Sequence, residues 1–235
     1  MMRKVIFIFS LFLLGQTLLF GQEEVEVSEE EITEDLNYRE DQFYVGVTYY
    51  LLRRMPTDMS QNGFSSSFQI GFIRDLPLNE ARDFSIGIGM GYSANSVNQN
   101  LQFDEENGEI SYSIVENGSF SKNKFARHLI EIPIEFRWRT STPKVYKFWR
   151  IYPGIKFGYV FASSVKFKGE PKNYKIRGID DFNKVQYGIT LTAGYDKFNA
   201  HVYYALNSIF KDGAELNGET LNISVVKIGL MLYIL

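Results

Sequence analysis

From Gln42 to its C-terminus this chain places apolar side chains at every second position instead of every third or fourth, and that period restricts it to β-structure. In QFYVGVTYYLL, Phe43, Val45, Val47, Tyr49 and Leu51 share one face, and Tyr44, Gly46, Thr48 and Tyr50 share the other. FSIGIGMGYS divides in the same way, with Phe84, Ile86, Ile88, Met90 and Tyr92 opposite Ser85, Gly87, Gly89, Gly91 and Ser93. Eight segments alternate: 42–52, 66–75, 83–95, 127–139, 149–162, 185–195, 198–207 and 221–234. Each approaches the roughly 9 to 11 residues that a tilted strand needs to cross a bilayer. The connections after the second, fourth and sixth segments are short (LPLNEAR, TSTPKVYKF and Asp196-Lys197), whereas the others are longer and more polar, the longest covering 96–126. Short turns on one side and long loops on the other predict an all-β fold, an eight-stranded antiparallel up-and-down transmembrane β-barrel. The even strand count predicts both barrel ends on the short-turn, periplasmic side.

A soluble eight-stranded barrel of the lipocalin kind alternates as well, but with its apolar face inside; a membrane barrel reverses the sign. In HLIEIPIEFRWRT, Ile130, Ile132, Ile134, Phe136 and Trp138 oppose Glu131, Pro133, Glu135, Arg137 and Arg139. In WRIYPGIKFGYVF, Trp149, Ile151, Ile155, Phe157, Tyr159 and Phe161 oppose Arg150, Tyr152, Gly154, Lys156 and Gly158. Charges alone suit either barrel. The strand lengths, the aromatic ends of the apolar faces and the N-terminal leader favour the membrane form. The interior of eight strands is just wide enough for side chains to fill. Glu131 and Glu135 are therefore expected to meet Arg150 and Lys156, with Arg137 and Arg139 on the same face, in a lumen where Gly46, Gly71, Gly87, Gly89, Gly91, Gly188 and Gly194 make room. An unpaired charge held out of water is costly, so the pairing should come out close to neutral. A lumen filled in this way is no diffusion pore.

The leader MMRKVIFIFSLFLLGQTLLFG reads as a secretory signal peptide, with Arg3 and Lys4 ahead of an apolar stretch from Val5. Ser10, Gly15, Gln16 and Thr17 interrupt that stretch, leaving it short of the roughly 18 uninterrupted apolar residues of a spanning helix. The expected division is 1–21 signal peptide, 22–41 acidic flexible periplasmic arm and 42–235 outer-membrane barrel. Residues 23–41 hold ten acids and one base, so the formal charge of −3 conceals an arm at −9 and a barrel at +4. Such a charge block lacks the apolar content to pack.

The closing strand KIGLMLYIL sets Lys227, Gly229, Leu232 and Ile234 in the order polar, glycine, apolar, apolar. This resembles the C-terminal signal read by the machinery that inserts outer-membrane barrels, which names that machinery as a partner during assembly. GFIRDLPLNEARDFSIGIGMGYSAN, LIEIPIEFRWR, YPGIKFGYVFA and this strand together resemble the PorT-like outer-membrane β-barrel proteins, a family with a porin-type barrel domain, over about Gln42 to Leu235. The resemblance implies an eight-stranded outer-membrane barrel. It also implies, through the founding member, an association with type IX secretion and gliding.

Little chemistry is legible. With no cysteine there is no disulfide framework, thiolate site or thiol for a lipid anchor. GIGMGYS contains G-x-G-x-G, but its glycines line one face of a strand, not a phosphate loop opening a helix. His201 shares an inward face with Asn199 and Tyr203 and has no serine within two residues; Ser111, Ser113 or Ser208 would have to approach it for nucleophilic catalysis. His128 has the parity of the lipid face. Asp104, Glu105, Glu106 and Glu109 match no fixed calcium loop, so neither a metal nor another cofactor is expected. The loop VKFKGEPKNYKIRGIDDFNK carries Lys166, Lys168, Lys172, Lys175 and Arg177, candidates for contact with lipopolysaccharide phosphates.

The expected function is a non-enzymatic structural or interaction component of the Gram-negative envelope. Its partners are outer-membrane lipids, lipopolysaccharide and an envelope or secretion protein, with no nucleic acid. The alternatives are an accessory subunit of a type IX secretion or gliding machine and a lipid-modifying enzyme.

Overall fold

Each alternating segment forms a strand, and strands adjacent in sequence pair antiparallel until the sheet closes on itself. A computed structural model describes residues 41–106, 108–140, 148–170 and 173–234; the expected signal peptide and nearly all of the acidic stretch lie outside them. In chain order the strands are β1 (Gln42–Arg53), β2 (Ser66–Pro77), β3 (Phe84–Asn98), β4 (Leu101–Glu106), β5 (Glu109–Ile114), β6 (Phe120–Arg139) and β7 (Trp149–Gly169). They continue as β8 (Asn173–Arg177), β9 (Val185–Tyr195), β10 (Phe198–Ala205), β11 (Glu215–Leu216), β12 (Glu219–Thr220) and β13 (Ser224–Ile234). The barrel order is β6-β3-β2-β1-β13-β10-β9-β7, and the β6–β7 pairing completes the circle. Closure leaves no edge strand in the wall, so the backbone groups of its ladders pair between strands and not with water.

Polarity follows parity as the sequence predicts. Phe43, Val47, Ile70, Ile134, Ile155 and Leu230 stand outward and exposed, while Tyr44, Gln69, Glu131, Lys156 and Lys227 turn inward and are buried. A contiguous apolar wall of this extent is a membrane surface. Aromatic pairs mark both margins: Trp149 and Tyr195 (5.3 Å between ring centroids) near the short turns, Tyr49 and Phe64 (5.6 Å) near the long loops. On β6 the outward face runs ten residue steps from Trp138 to His128. At 3.3 Å per residue and a 40° tilt that is roughly 25 Å of height, the expected apolar band.

Beyond the band the sign reverses. The sequence predicts strands 127–139 and 149–162, but β6 begins at Phe120 and β7 continues to Gly169. In these extensions Phe125, Val165 and Phe167 are buried inside, and Lys122, Lys124, Lys166 and Lys168 lie outside. A wall in water hides its apolar face, whereas a wall in lipid displays it. The extensions look like polar loop in the sequence because the parity rule that finds the membrane strands changes sign there.

The long loops are also structured. The β4–β5 hairpin, the loop after β8 and the β10–β13 connection meet over the barrel mouth in one apolar cluster containing Phe103, Phe125, Phe182, Phe210 and Leu221, all of them buried. Phe182 lies 5.1 Å from Phe210 and 5.5 Å from Phe125, ring to ring. Tyr112 donates a hydrogen bond to Asp181 at 2.5 Å, and Asn183 donates to the carbonyls of Ser208 and Phe210. These contacts tie loops that are distant in sequence into a cap.

Candidate functional site

At mid-height the lumen is organised around Glu131 on β6. Lys156 of β7 lies 3.3 Å from its carboxylate and Lys227 of β13 lies 3.5 Å from it, while the Ser93 hydroxyl donates to it at 2.8 Å. Lys156 also donates to Gln69 at 2.6 Å. The side chains leave a void of about 10 Å³ between Tyr50, Asn95, Arg127, Glu131 and Lys156, room for one water at most.

Toward the short turns a second group centres on Asp75 of β2. It takes Arg137 at 3.1 Å and Arg139 at 2.8 Å, and the Ser85 hydroxyl donates to it at 2.6 Å. Glu135 pairs with Arg137 at 3.1 Å and accepts from the Tyr233 hydroxyl at 3.3 Å. Arg137 also donates to Gln42 at 3.1 Å, and Arg139 to the carbonyl of Arg82 at 3.0 Å. Tyr44, Ile73, Tyr152, Met231 and Tyr233 pack among these groups.

The structure thus pairs Glu131 with Lys156. It does not bring Arg150 to Glu131 or Glu135. Arg150 lies instead 4.5 Å from the ring of Phe148 and within 6 Å of Tyr152 and Tyr233, its charge met by aromatic faces. Two members of the network are not singled out in the sequence reading. Asp75 has the inward parity of β2, a signal that could have found it, and Lys227 is read there only as part of a C-terminal signal. Among the described residues six bases and three acids are buried in the lumen, an excess of positive charge where a near-neutral set is expected from the sequence, because two carboxylates each serve two bases. Arg127 and Arg150, outside these ion pairs, both lie over rings.

The glycines make the predicted room. The Tyr44 ring lies along the inner wall over Gly71 and Gly91 of the next two strands, and the Arg137 guanidinium stands 2.7 Å from where a Cβ on Gly87 would be.

His201 is buried with its Nδ1 2.7 Å from the Thr192 hydroxyl and its Nε2 without a hydrogen-bond partner. No serine among the described residues hydrogen-bonds it: Ser111 bonds the carbonyl of Asp104 and Ser208 that of Leu221. A catalytic base needs a third group to orient it, and Nε2 has none. His128 lies on the outer wall at the upper margin, stacked on Tyr92 and 2.6 Å from its hydroxyl. Among the described residues no cluster of three or more His, Asp or Glu could hold a metal ion.

The C-terminal signal residues divide between two faces. Lys227 and Gly229 turn inward, and Leu232 and Ile234 belong to the outer wall. Gly229 stands opposite Thr48 where β13 closes against β1, so close that a Cβ would meet the β1 backbone.

The basic residues of the β7–β9 segment gather on the outer wall. Lys166 and Lys168 lie on β7, and Lys175 and Arg177 on β8. Lys172 lies outside the described residues. Lys122 and Lys124 of β6 join them, which linear reading misses because these two come from the preceding loop of the sequence.

A family model described as outer membrane protein beta-barrel domain matches residues 20–211. Among solved structures, the crystal structure of Ail, the attachment invasion locus protein of Yersinia pestis, in complex with the heparin analogue sucrose octasulfate, is similar at 12% identity and a TM-score of 0.33. The match covers 83% of this chain and 98% of that one. No curated protein matches.

Proposed function

This chain belongs to the family of outer membrane protein β-barrel domains, and from that membership we propose that it serves the Gram-negative envelope as a non-enzymatic structural or interaction component. The carrying observation is the closed interior. Two buried charge groups fill the lumen and the aromatic cap covers its mouth, so among the described residues neither a solute path nor an accessible reaction centre is left inside. What remains available is the apolar wall, offered to lipid, and the surface of the long loops.

In this reading the long loops face outward, and both the acidic arm and the C-terminus lie in the periplasm, because short turns belong to the periplasmic side of such barrels. Leu232 and Ile234 on the outer face of β13 suit recognition by the barrel-assembly machinery before the strand closes against β1. The finer PorT-like assignment, and with it a place in type IX secretion, is supported by the sequence resemblance alone. A lipid-modifying reaction would need His201, which is buried with Thr192 as its hydroxyl neighbour.

Planar-bilayer recording of the reconstituted full chain tests the proposal. The expected result is no stable large conductance; steady porin-like steps would overturn it. In parallel, lipid A and phospholipid turnover should be the same for wild type and His201→Ala. Turnover that disappears in the variant would replace the proposal with the enzymatic reading.

A further inference from the structure

The outer wall carries a built cationic surface just above the apolar band. Ile130 pairs with Tyr159 and Leu129 with Val160, but His128 pairs with Ala162, so Phe161 is an extra residue in β7, a β-bulge. Below the bulge the even-numbered residues of β7 turn inward, Lys156 among them; above it Val165 and Phe167 are buried and Lys166 and Lys168 take the outer face. The shift places Lys166 opposite Lys124 and Lys168 opposite Lys122 on β6. On the other side β8 sets Lys175 opposite Lys166 and Arg177 opposite Ser164. Without the extra residue, Lys166 and Lys168 would point into the apolar interior of the cap.

Like charges directly opposite one another destabilise a sheet. Here three neighbouring strands set lysine against lysine. Among the described residues no carboxylate pairs with Lys122, Lys166, Lys168 or Lys175, and Lys124 reaches only the Ser96 hydroxyl, at 3.4 Å. The Lys166 ammonium is held below the ordinary lysine range by Lys168 first, then Lys122, with Lys175 and Lys124 adding to the effect. Strands roughly 4.8 Å apart with outward positions roughly 7 Å apart along each one give a grid of point charges rather than a single pocket. That geometry complements an array of phosphates.

The height identifies where such an array lies. Lys124 and Lys122 precede His128 on β6 by four and six residues, roughly 10 and 15 Å above the upper margin of the band at the same rise and tilt. This is the polar layer next to the hydrocarbon, and the lysines share the lipid-facing wall instead of the cap's top.

We propose that Lys122, Lys124, Lys166, Lys168 and Lys175 bind the phosphate groups of the glycolipid leaflet surrounding the long-loop end of the barrel. The proposal rests on the outward orientation of the long loops given above. A bulge that turns two lysines out of the cap serves both ends at once, keeping the cap apolar and the wall basic.

The test uses the full chain folded into phosphatidylcholine nanodiscs, with diphosphoryl lipid A or phosphatase-treated lipid A as the added probe. Retained lipid A per barrel is measured by native mass spectrometry. Wild type should retain the phosphorylated lipid preferentially, and each Lys→Gln change at 122, 124, 166 or 168 should weaken retention roughly fivefold. Equal retention by wild type and the quadruple variant would overturn the proposal, as would equal retention of phosphate-free lipid. If heparin in solution binds the lysines while phosphorylated lipid A does not, the lipid source is refuted. Heat-modifiable migration on a gel establishes that each variant is a folded barrel. A wild type lacking that shift in every bilayer would refute the barrel reading itself, a failure distinct from loss of lipid preference.

Discussion

Asp75 and Arg137 form an ion pair of 3.1 Å in which neither side chain has any contact with solvent, although β2 and β6 are separated by β3 in the wall. The contact reaches along the inner wall over β3, past Gly87, instead of following the ladder. Asp75 also holds Arg139, so one carboxylate anchors two buried guanidinium groups. Removing one partner of a buried pair leaves the other charge uncompensated, which costs about 3–5 kcal/mol. Asp75→Ala should lower stability by that amount in urea unfolding from lipid vesicles. A change below about 1 kcal/mol would mean that the arginines find other partners and that the lumen is softer than described.

Tyr44 and Gly91 give a packing test of the same interior. The Tyr44 hydroxyl lies where a Cβ on Gly91 would stand, and the carbonyl of Ile70 leaves no room on the other side. Gly91→Ala should destabilise the barrel by about 1–3 kcal/mol through overpacking. Combining it with Tyr44→Ala should cost less than the sum of the single changes, by about 1 kcal/mol. Strict additivity would place the strain elsewhere.

The cap should yield independently of the wall. Phe182 touches Phe103 on the β4–β5 hairpin, Phe125 on the upper extension of β6 and Phe210 in the β10–β13 connection. Phe182→Ala should remove about 3–5 kcal/mol of cap stability and speed proteolysis in the long loops. The heat-modifiable migration of the barrel should be unchanged. Loss of that migration would show that cap and wall unfold as one unit.

Alkaline titration should reach the cap late. Burial first, and the Asp104 carboxylate second, push the Tyr174 phenol up to about 12. Tyr112 is raised as well, by burial and then by its hydrogen bond to Asp181. A phenol whose folded value is raised stabilises the fold fully below its unfolded value near 10, and that contribution is lost as the pH climbs toward 12. Near-ultraviolet circular dichroism of the cap should therefore hold to about pH 10 and decline from there to about pH 12, with Tyr174→Phe removing part of the decline. A loss beginning below pH 10 would contradict the assignment.

Within the membrane the wall was legible to within a few residues, because lipid outside and packed polar groups inside give each strand two unlike faces. Which charges meet was less legible. Parity places Glu131 and Lys156 in the lumen, but it does not say that Lys227 reaches Glu131 from β13 or that Arg150 lies on Phe148 instead of a carboxylate. Those outcomes depend on the height of each residue around a closed circle, which a linear pattern does not contain. The loop strands β4, β5, β8, β11 and β12 went unread for a related reason. Their apolar residues are short runs that become a core only when the long loops meet.

The sequence by itself determined the period, the number of spanning strands, the inward and outward faces and the leader-like start, all of which are properties of single segments. Tertiary structure alone decided the lumen partners, the sealed mouth and the basic wall. The bulge at Phe161 shows why: one unpaired residue reverses the parity of β7, and only the register against β6 reveals that Lys166 faces Lys124 on the outside instead of entering the cap.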